Sequence, residues 1–165
     1  MRVPKRKSEQ GVYVPLDPHI TQEKYDELGR KLDRLKKSVP ALAQEVAFHA
    51  KNGDFSENAP YQIAKGKLRG VNARILELNQ QINKAIIIEE TSGGDVVRLG
   101  SRVSVEANGL VKTYQILGSA ETNPLQGIIS HNSPLGAALL GHGVGETVKL
   151  ELNKKDVVYK IIKIS

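Results

Sequence analysis

The sequence predicts an α+β protein: an N-terminal antiparallel coiled-coil helical hairpin followed by a small antiparallel sheet domain with one helix. Three observations predict it. Apolar residues recur at alternating spacings of three and four in two successive segments, the pattern of helices packed along a narrow seam. The two segments match each other when one is read backwards. From residue 96 onward the pattern changes to short alternating runs punctuated by turn residues, the pattern of strands.

The first seam runs Tyr25, Leu28, Leu32, Leu35, Val39, Leu42, Val46, His49. The second runs Tyr61, Ala64, Leu68, Val71, Ile75, Leu78, Ile82, Ala85. Pairing them in opposite directions gives residue numbers that sum to 110 throughout, from Tyr25 with Ala85 to His49 with Tyr61. A constant sum is the condition for an antiparallel hairpin, and half of 110 places the turn at Phe55. Tyr25 and Asp54 are 29 residue steps apart, about 44 Å at about 1.5 Å per residue. Two helices alone bury little apolar area, so the arm is expected to protrude and to rely on its seam. Pro40 lies within the first helix, where a local kink is expected because the periodicity continues past it. Asp17 and Thr21 are both candidate caps for its start.

In the second half, Ser101–Glu106 reads as a strand, Asn108-Gly109 as a hairpin turn and Val111–Leu117 as the returning strand. Leu125–Ser130 reads as a further strand. Ser133 and Pro134 read as the cap and first residue of a short helix over Leu135–Leu140, stopped by Gly141. Thr147–Leu152 and Val157–Ile164 form a final hairpin around Asn153–Asp156. The chain then divides into a basic flexible tail (1–20), the hairpin (21–90), a linker (91–97) that includes Thr91-Ser92-Gly93-Gly94, and the sheet domain (98–165).

Composition narrows the function. Cysteine is absent, which excludes disulfides and thiolate metal sites. No signal peptide or membrane-length apolar run is read, so a cytoplasmic protein without membrane business is expected. The formal charge of +6 favours nucleic acid or an acidic surface as partner. With no tryptophan and few aromatics, stacking platforms for single strands are not expected.

The turn reads Asn52-Gly53-Asp54-Phe55-Ser56-Glu57-Asn58-Ala59. Asp54 and Glu57 have the spacing of a capping box, which would give them a purely structural role. Pro60 speaks against Asp54 as the cap, and leaves Ser56 or Asn58 as alternatives. Two free carboxylates at the end of an arm suit a hard cation such as Mg²⁺, but are too few to hold it alone. They form half a site that a partner completes. Behind them stand Lys51, Lys65, Lys67, Arg69 and Arg74. An acidic point on a basic shaft suits a phosphate backbone beside a metal, while an ordinary solvated coiled-coil face is the plain alternative.

Gly53-Asp54-Phe55-Ser56-Glu57-Asn58-Ala59-Pro60-Tyr61 closely resembles the signature at the coiled-coil tip of the GreA/GreB transcript-cleavage factors. The segment from Ile129 to Gly141, with its Asn132-Ser133-Pro134, resembles their carboxyl-terminal Ser-Pro segment. The resemblance covers about residues 20–165 and implies an FKBP-like sheet domain that grips bacterial RNA polymerase. It further implies a monomer whose arm enters the polymerase secondary channel. Asp54 and Glu57 would then assist the second Mg²⁺ of the polymerase active centre, with no cofactor bound by the factor alone. Gly53, Ser56, Asn58 and Tyr61 would support the tip. Lys65, Lys67 and Arg69 would contact the nascent RNA 3′ end in backtracked complexes. Asn132, Ser133 and Pro134 would bind the polymerase, with Asn132 standing where an acidic residue is frequent.

Three other readings compete. A Gre-like factor can occupy the channel and inhibit without cleavage, but inhibitory homologues carry a more acidic tip than Asp54-Phe55-Ser56-Glu57. A prolyl isomerase needs an aromatic-lined pocket, and the sheet domain has only Tyr114 and Tyr159. A plain coiled-coil adaptor leaves the tip signature without a role.

Overall fold

The computed structural model describes residues 17–51, 58–89, 93–152 and 155–165. Its order is β1 (His19–Ile20), α1 (Gln22–Ala50), α2 (Ala59–Lys84), β2 (Ile86–Ile87), β3 (Arg102–Ala107), β4 (Leu110–Leu117), β5 (Ile128–Ser130), α3 (Pro134–Leu139), β6 (Thr147–Leu152) and β7 (Lys155–Ile164).

The two long helices pack against each other along the expected seam. Every seam residue from Tyr25 to His49 and from Tyr61 to Ala85 is buried or half-buried, while most positions between them are exposed. Leu32 and Leu78, paired by the constant sum, are both buried. The Lys67 Nζ–Glu45 Oε1 ion pair, 3.3 Å long, crosses the hairpin in the same register. Helix α1 runs through Pro40 without interruption. Its cap is Thr21, whose Oγ1 accepts the Lys24 N–H at 3.2 Å. Asp17 has a different task, described below.

Asp17–Ile20, assigned by sequence to the tail, are built into the structure. Strand β1 pairs in parallel with β2, His19 opposite Ile86 and Ile20 opposite Ile87, so the strands just outside the helices close the root of the arm. At the other junction, the linker assignment extends too far. Val96 bridges Gly143 and Val97 is almost wholly buried, so the sheet domain begins there.

The sheet has the order β5-β4-β3-β7-β6. Asn108 and Gly109 both take left-handed backbone, φ 52° and 75°, and turn β3 into β4 as their sequence signals. Three pairings are antiparallel, but β5 runs parallel to β4, with Gln115 opposite Ile128 and Leu117 opposite Ser130. The sheet is therefore mixed where antiparallel pairing was expected. The cause lies before β5: Pro124–Gln126 form a 3₁₀ turn and Gly127 adopts φ 74°, which shortens the expected strand and reverses its approach. Helix α3 starts as foreseen, Ser133 Oγ accepting the Gly136 N–H at 3.0 Å with Pro134 in the first turn.

The core contains Val97, Val103, Val105, Ile116, Leu139, Val148 and Ile161, with Tyr114 and Tyr159 packed at its margin. Burying a side chain of this size contributes about 1.5–3 kcal/mol. Helix α3 reaches the core only because residue 136 is glycine: a Cβ there would lie 2.1 Å from the Ser130 carbonyl oxygen. Among the described residues no helix is long and apolar enough to cross a membrane.

Candidate functional site

One side chain joins the distal ends of the two helices. Asn58 Oδ1 accepts the Tyr61 N–H at 3.0 Å and so caps α2. Its Nδ2 donates to the His49 carbonyl at 2.7 Å, near the end of α1. The asparagine thus satisfies an orphan donor of one helix and reaches the carbonyl end of the other. Pro60 falls in the first turn of α2, where its missing N–H costs nothing. Asn58, not Asp54, is therefore the helix cap, which removes the structural reason for the Asp54–Glu57 spacing. Gly53, Asp54, Ser56 and Glu57 lie outside the described residues, as does the turn assigned to Phe55.

Behind the tip, the basic side chains differ in their surroundings. Lys65 Nζ lies 5.5 Å from the Tyr61 ring centroid, a cation–π contact. Lys67 is tied to Glu45, and Arg74 to Glu77 at 2.5 Å. These exposed pairs contribute about 0–1 kcal/mol each. Lys65, Lys67 and Arg69 are all exposed on α2.

The second region lies on the sheet domain. Asn132 and Pro134 are exposed, flanking the half-buried Ser133. Their loop is braced from below: Ser130 Oγ accepts the Asn132 N–H at 3.0 Å, and Ser133 Oγ donates to the Ser130 carbonyl at 2.6 Å. Asn132 Nδ2 also approaches Ser119 Oγ at 3.4 Å. The structure places this loop in the sheet domain, apart from the basic residues of α2.

Sequence reasoning missed the connection between this loop and the root of the arm. Asp17 Oδ2 accepts the Ser119 N–H at 2.7 Å, and Asp17 Oδ1 accepts the His19 N–H at 3.1 Å. The His19 ring lies 2.9 Å from Oδ1 and the His131 ring 3.3 Å from Oδ2. Burial opposes ionisation of Asp17, but hydrogen bonds from the Ser119 N–H, the His19 ring and the His19 N–H outweigh it and lower its pKa to about 2. Glu121 adds a second clasp, accepting the Thr21 N–H at 2.8 Å and the Thr21 hydroxyl at 2.5 Å. The backbones meet closely here: a Cβ on Gly118 would lie 1.8 Å from the His19 carbonyl oxygen. Only the Asp17-x-His19 spacing was visible in sequence; its partners lie far along the chain.

A long two-helix arm, its distal helix ends joined through Asn58 and its root hydrogen-bonded to a small sheet domain with a braced loop, defines a two-part helical-hairpin and sheet protein. Comparison with known proteins gives the class its name. Residues 19–87 match the family model described as "Transcription elongation factor, N-terminal", and residues 91–165 match "Transcription elongation factor, GreA/GreB, C-term". The chain belongs to the GreA/GreB family of transcription elongation factors. It is 36% identical over 148 residues to the transcription elongation factor GreA of Thermomicrobium roseum, a match covering 88% of this chain and 95% of that one. It is 37% identical over 149 residues to GreA of Bacillus velezensis, with the same coverages of 88% and 95%. Among solved structures, the GreA factor homolog 1 of Thermus thermophilus is similar at 30% identity, covering 88% of this chain and 97% of that one, with a TM-score of 0.40.

Proposed function

We propose that this factor binds bacterial RNA polymerase as a monomer in the cytoplasm, inserts its arm into the secondary channel, and stimulates the polymerase's intrinsic cleavage of backtracked RNA. One observation supports this reading: Asn58 caps α2 and bridges to α1, so capping of α2 does not account for the Asp54–Glu57 spacing in the sequence. Two carboxylates are hard oxygen donors of the kind Mg²⁺ accepts, and too few to hold it without further ligands. Asp54 and Glu57 would complete the coordination of an ion shared with the polymerase active centre, where such an ion activates water or stabilises a leaving oxygen. The polymerase remains the enzyme. Lys65, Lys67 and Arg69 would neutralise phosphates of the displaced RNA 3′ end. Asn132, Ser133 and Pro134 would hold the sheet domain on the polymerase surface.

The test is incubation with a backtracked elongation complex carrying end-labelled RNA. Wild-type protein is expected to shorten the transcript. Asp54→Asn and Glu57→Gln are expected to abolish the shortening while binding to polymerase stays within about twofold. Binding that blocks synthesis and never shortens RNA would overturn cleavage and leave an inhibitory factor.

A further inference from the structure

The root of the arm brings two imidazoles and one carboxylate to a single point. Asp17 Oδ1 lies 2.9 Å from His19 Nδ1, and Asp17 Oδ2 lies 3.3 Å from His131 Nδ1. One ligand atom from each of the three residues can be chosen so that all lie within 4.8 Å of one another. We propose that Asp17, His19 and His131 form a binding site for a Zn²⁺-class transition-metal ion that ties the arm to the sheet domain.

The argument begins with distances. Zinc binds imidazole nitrogen and carboxylate oxygen at about 2.0–2.2 Å, so adjacent ligand atoms around a tetrahedral ion stand about 3.3 Å apart. The separation from His131 Nδ1 to Asp17 Oδ2, 3.3 Å, matches that value, and the 2.9 Å from His19 Nδ1 to Asp17 Oδ1 is a few tenths of an ångström shorter. The two rings meet edge to face at 79°, with centroids 5.5 Å apart. Both Nδ1 atoms face acceptors, the Asp17 carboxylate and, for His131, also the Leu117 carbonyl at 3.3 Å, so an ion would displace ring protons as it binds. The ligand atoms lie within 4.8 Å of one another, and side-chain torsions would draw them in around an ion.

The surroundings fit as well. The Asp17 carboxylate is oriented by the Ser119 and His19 backbone N–H groups, the hydrogen-bonded second layer that metal-binding carboxylates commonly possess. Asp17 is 6% exposed, His131 19% and His19 34%, so the site is enclosed on the carboxylate side and open past His19. Two imidazoles and a carboxylate favour zinc and its neighbours over magnesium, which prefers all-oxygen shells. Three protein ligands leave the fourth position to water.

The ligands come from both parts of the molecule. Asp17 and His19 precede α1, while His131 directly follows β5 and stands beside Asn132. Ser119, whose N–H holds Asp17, shares its hydroxyl with Ser130 Oγ at 2.9 Å beneath the same loop. An ion here would cross-link the base of the arm to the loop bearing Asn132–Pro134. It sits at the end of α1 opposite the tip and requires neither RNA nor polymerase.

The experiment uses the full chain, stripped of metal and titrated with Zn²⁺ by calorimetry, and with Co²⁺ by visible absorption. One equivalent is expected to bind, with the absorption of a four-coordinate ion. In ¹⁵N spectra, the ring nitrogens of His19 and His131 should shift on saturation. The chain's other histidines, His49 and His142, should not. His19→Gln, His131→Gln and Asp17→Asn should each weaken binding at least about tenfold, since loss of even an outer-shell partner commonly costs about 10–100-fold. His142→Gln should bind like wild type, although His142 and Glu146 form an exposed pair. At the same Zn²⁺ concentration the melting temperature of the wild type should rise more than that of the folded ligand variants. Absence of binding at stoichiometric Zn²⁺ would overturn the proposal. So would binding that survives His131→Gln and disappears in His142→Gln, or ring shifts confined to His142.

Discussion

The Asn58 side-chain amide donates to the His49 carbonyl at 2.7 Å while its oxygen accepts the Tyr61 N–H at 3.0 Å, so one residue links the distal ends of both helices of the arm. Substituting Asn58 by Ala is expected to cost about 0.5–2 kcal/mol, the range for loss of an N-cap. Asn58→Asp keeps the acceptor and loses the donor, so it should retain most of the α2 cap while releasing His49. Both should bind polymerase normally. If tip geometry matters, both should reduce transcript shortening, Ala more than Asp. Denaturant unfolding and a cleavage gel measure the two effects separately.

The loop on the sheet domain should govern affinity alone. Asn132 and Pro134 are exposed, whereas Ser133 caps α3. Asn132→Ala with Pro134→Ala is expected to weaken polymerase binding several-fold, with cleavage recovered at high factor concentration. Ser133→Ala should instead cost about 1 kcal/mol of stability. Binding isotherms and melting curves distinguish them; cleavage lost at saturation would assign the loop a different role.

The arm should behave as a ruler. Lys31–Lys37 and Ala73–Asn79 are antiparallel partners under the constant sum of 110. Deleting both removes one heptad from each helix, including the buried Leu32 and Leu78, and keeps the remaining seam in phase. The arm should shorten by about 10 Å at about 1.5 Å per residue. A carboxylate displaced that far cannot reach an ion whose ligands lie near 2 Å. Circular dichroism should show a helical protein, and polymerase binding should persist while cleavage disappears.

The root of the arm should respond to acid. Asp17 has its pKa lowered from 3.8 to about 2 in the folded protein. A depressed carboxylate pKa contributes stability that is present above the unfolded value and lost as pH falls through the folded value. Here the window lies between about pH 4 and pH 2, and the contribution is of order 2 kcal/mol. In metal-free buffer the wild-type protein should lose that increment across the window. Asp17→Asn should lack it, visible as a flatter curve of stability against pH in urea unfolding.

What the sequence determined by itself is whatever repeats locally or is written in adjacent residues. The seam and its register were legible because helical packing imposes a spacing of three and four on each segment separately. The turn at Asn108-Gly109 and the Ser133-Pro134 start of α3 were legible because cap and turn chemistry acts between neighbours. Asn58 was left open as a cap beside Asp54 and Ser56; the structure chose it, its oxygen accepting the Tyr61 N–H while its amide reaches His49. The tertiary structure alone decided the parallel placement of β5 and the entry of Val97 into the core. It alone brought Asp17, His19 and His131 together. Each of these depends on contacts between segments distant in the chain, and local periodicity carries no information about which distant surfaces will meet. Asp17 shows the difference most plainly: in sequence it is a candidate helix cap, and in the folded chain it is the carboxylate that holds the arm to the sheet domain.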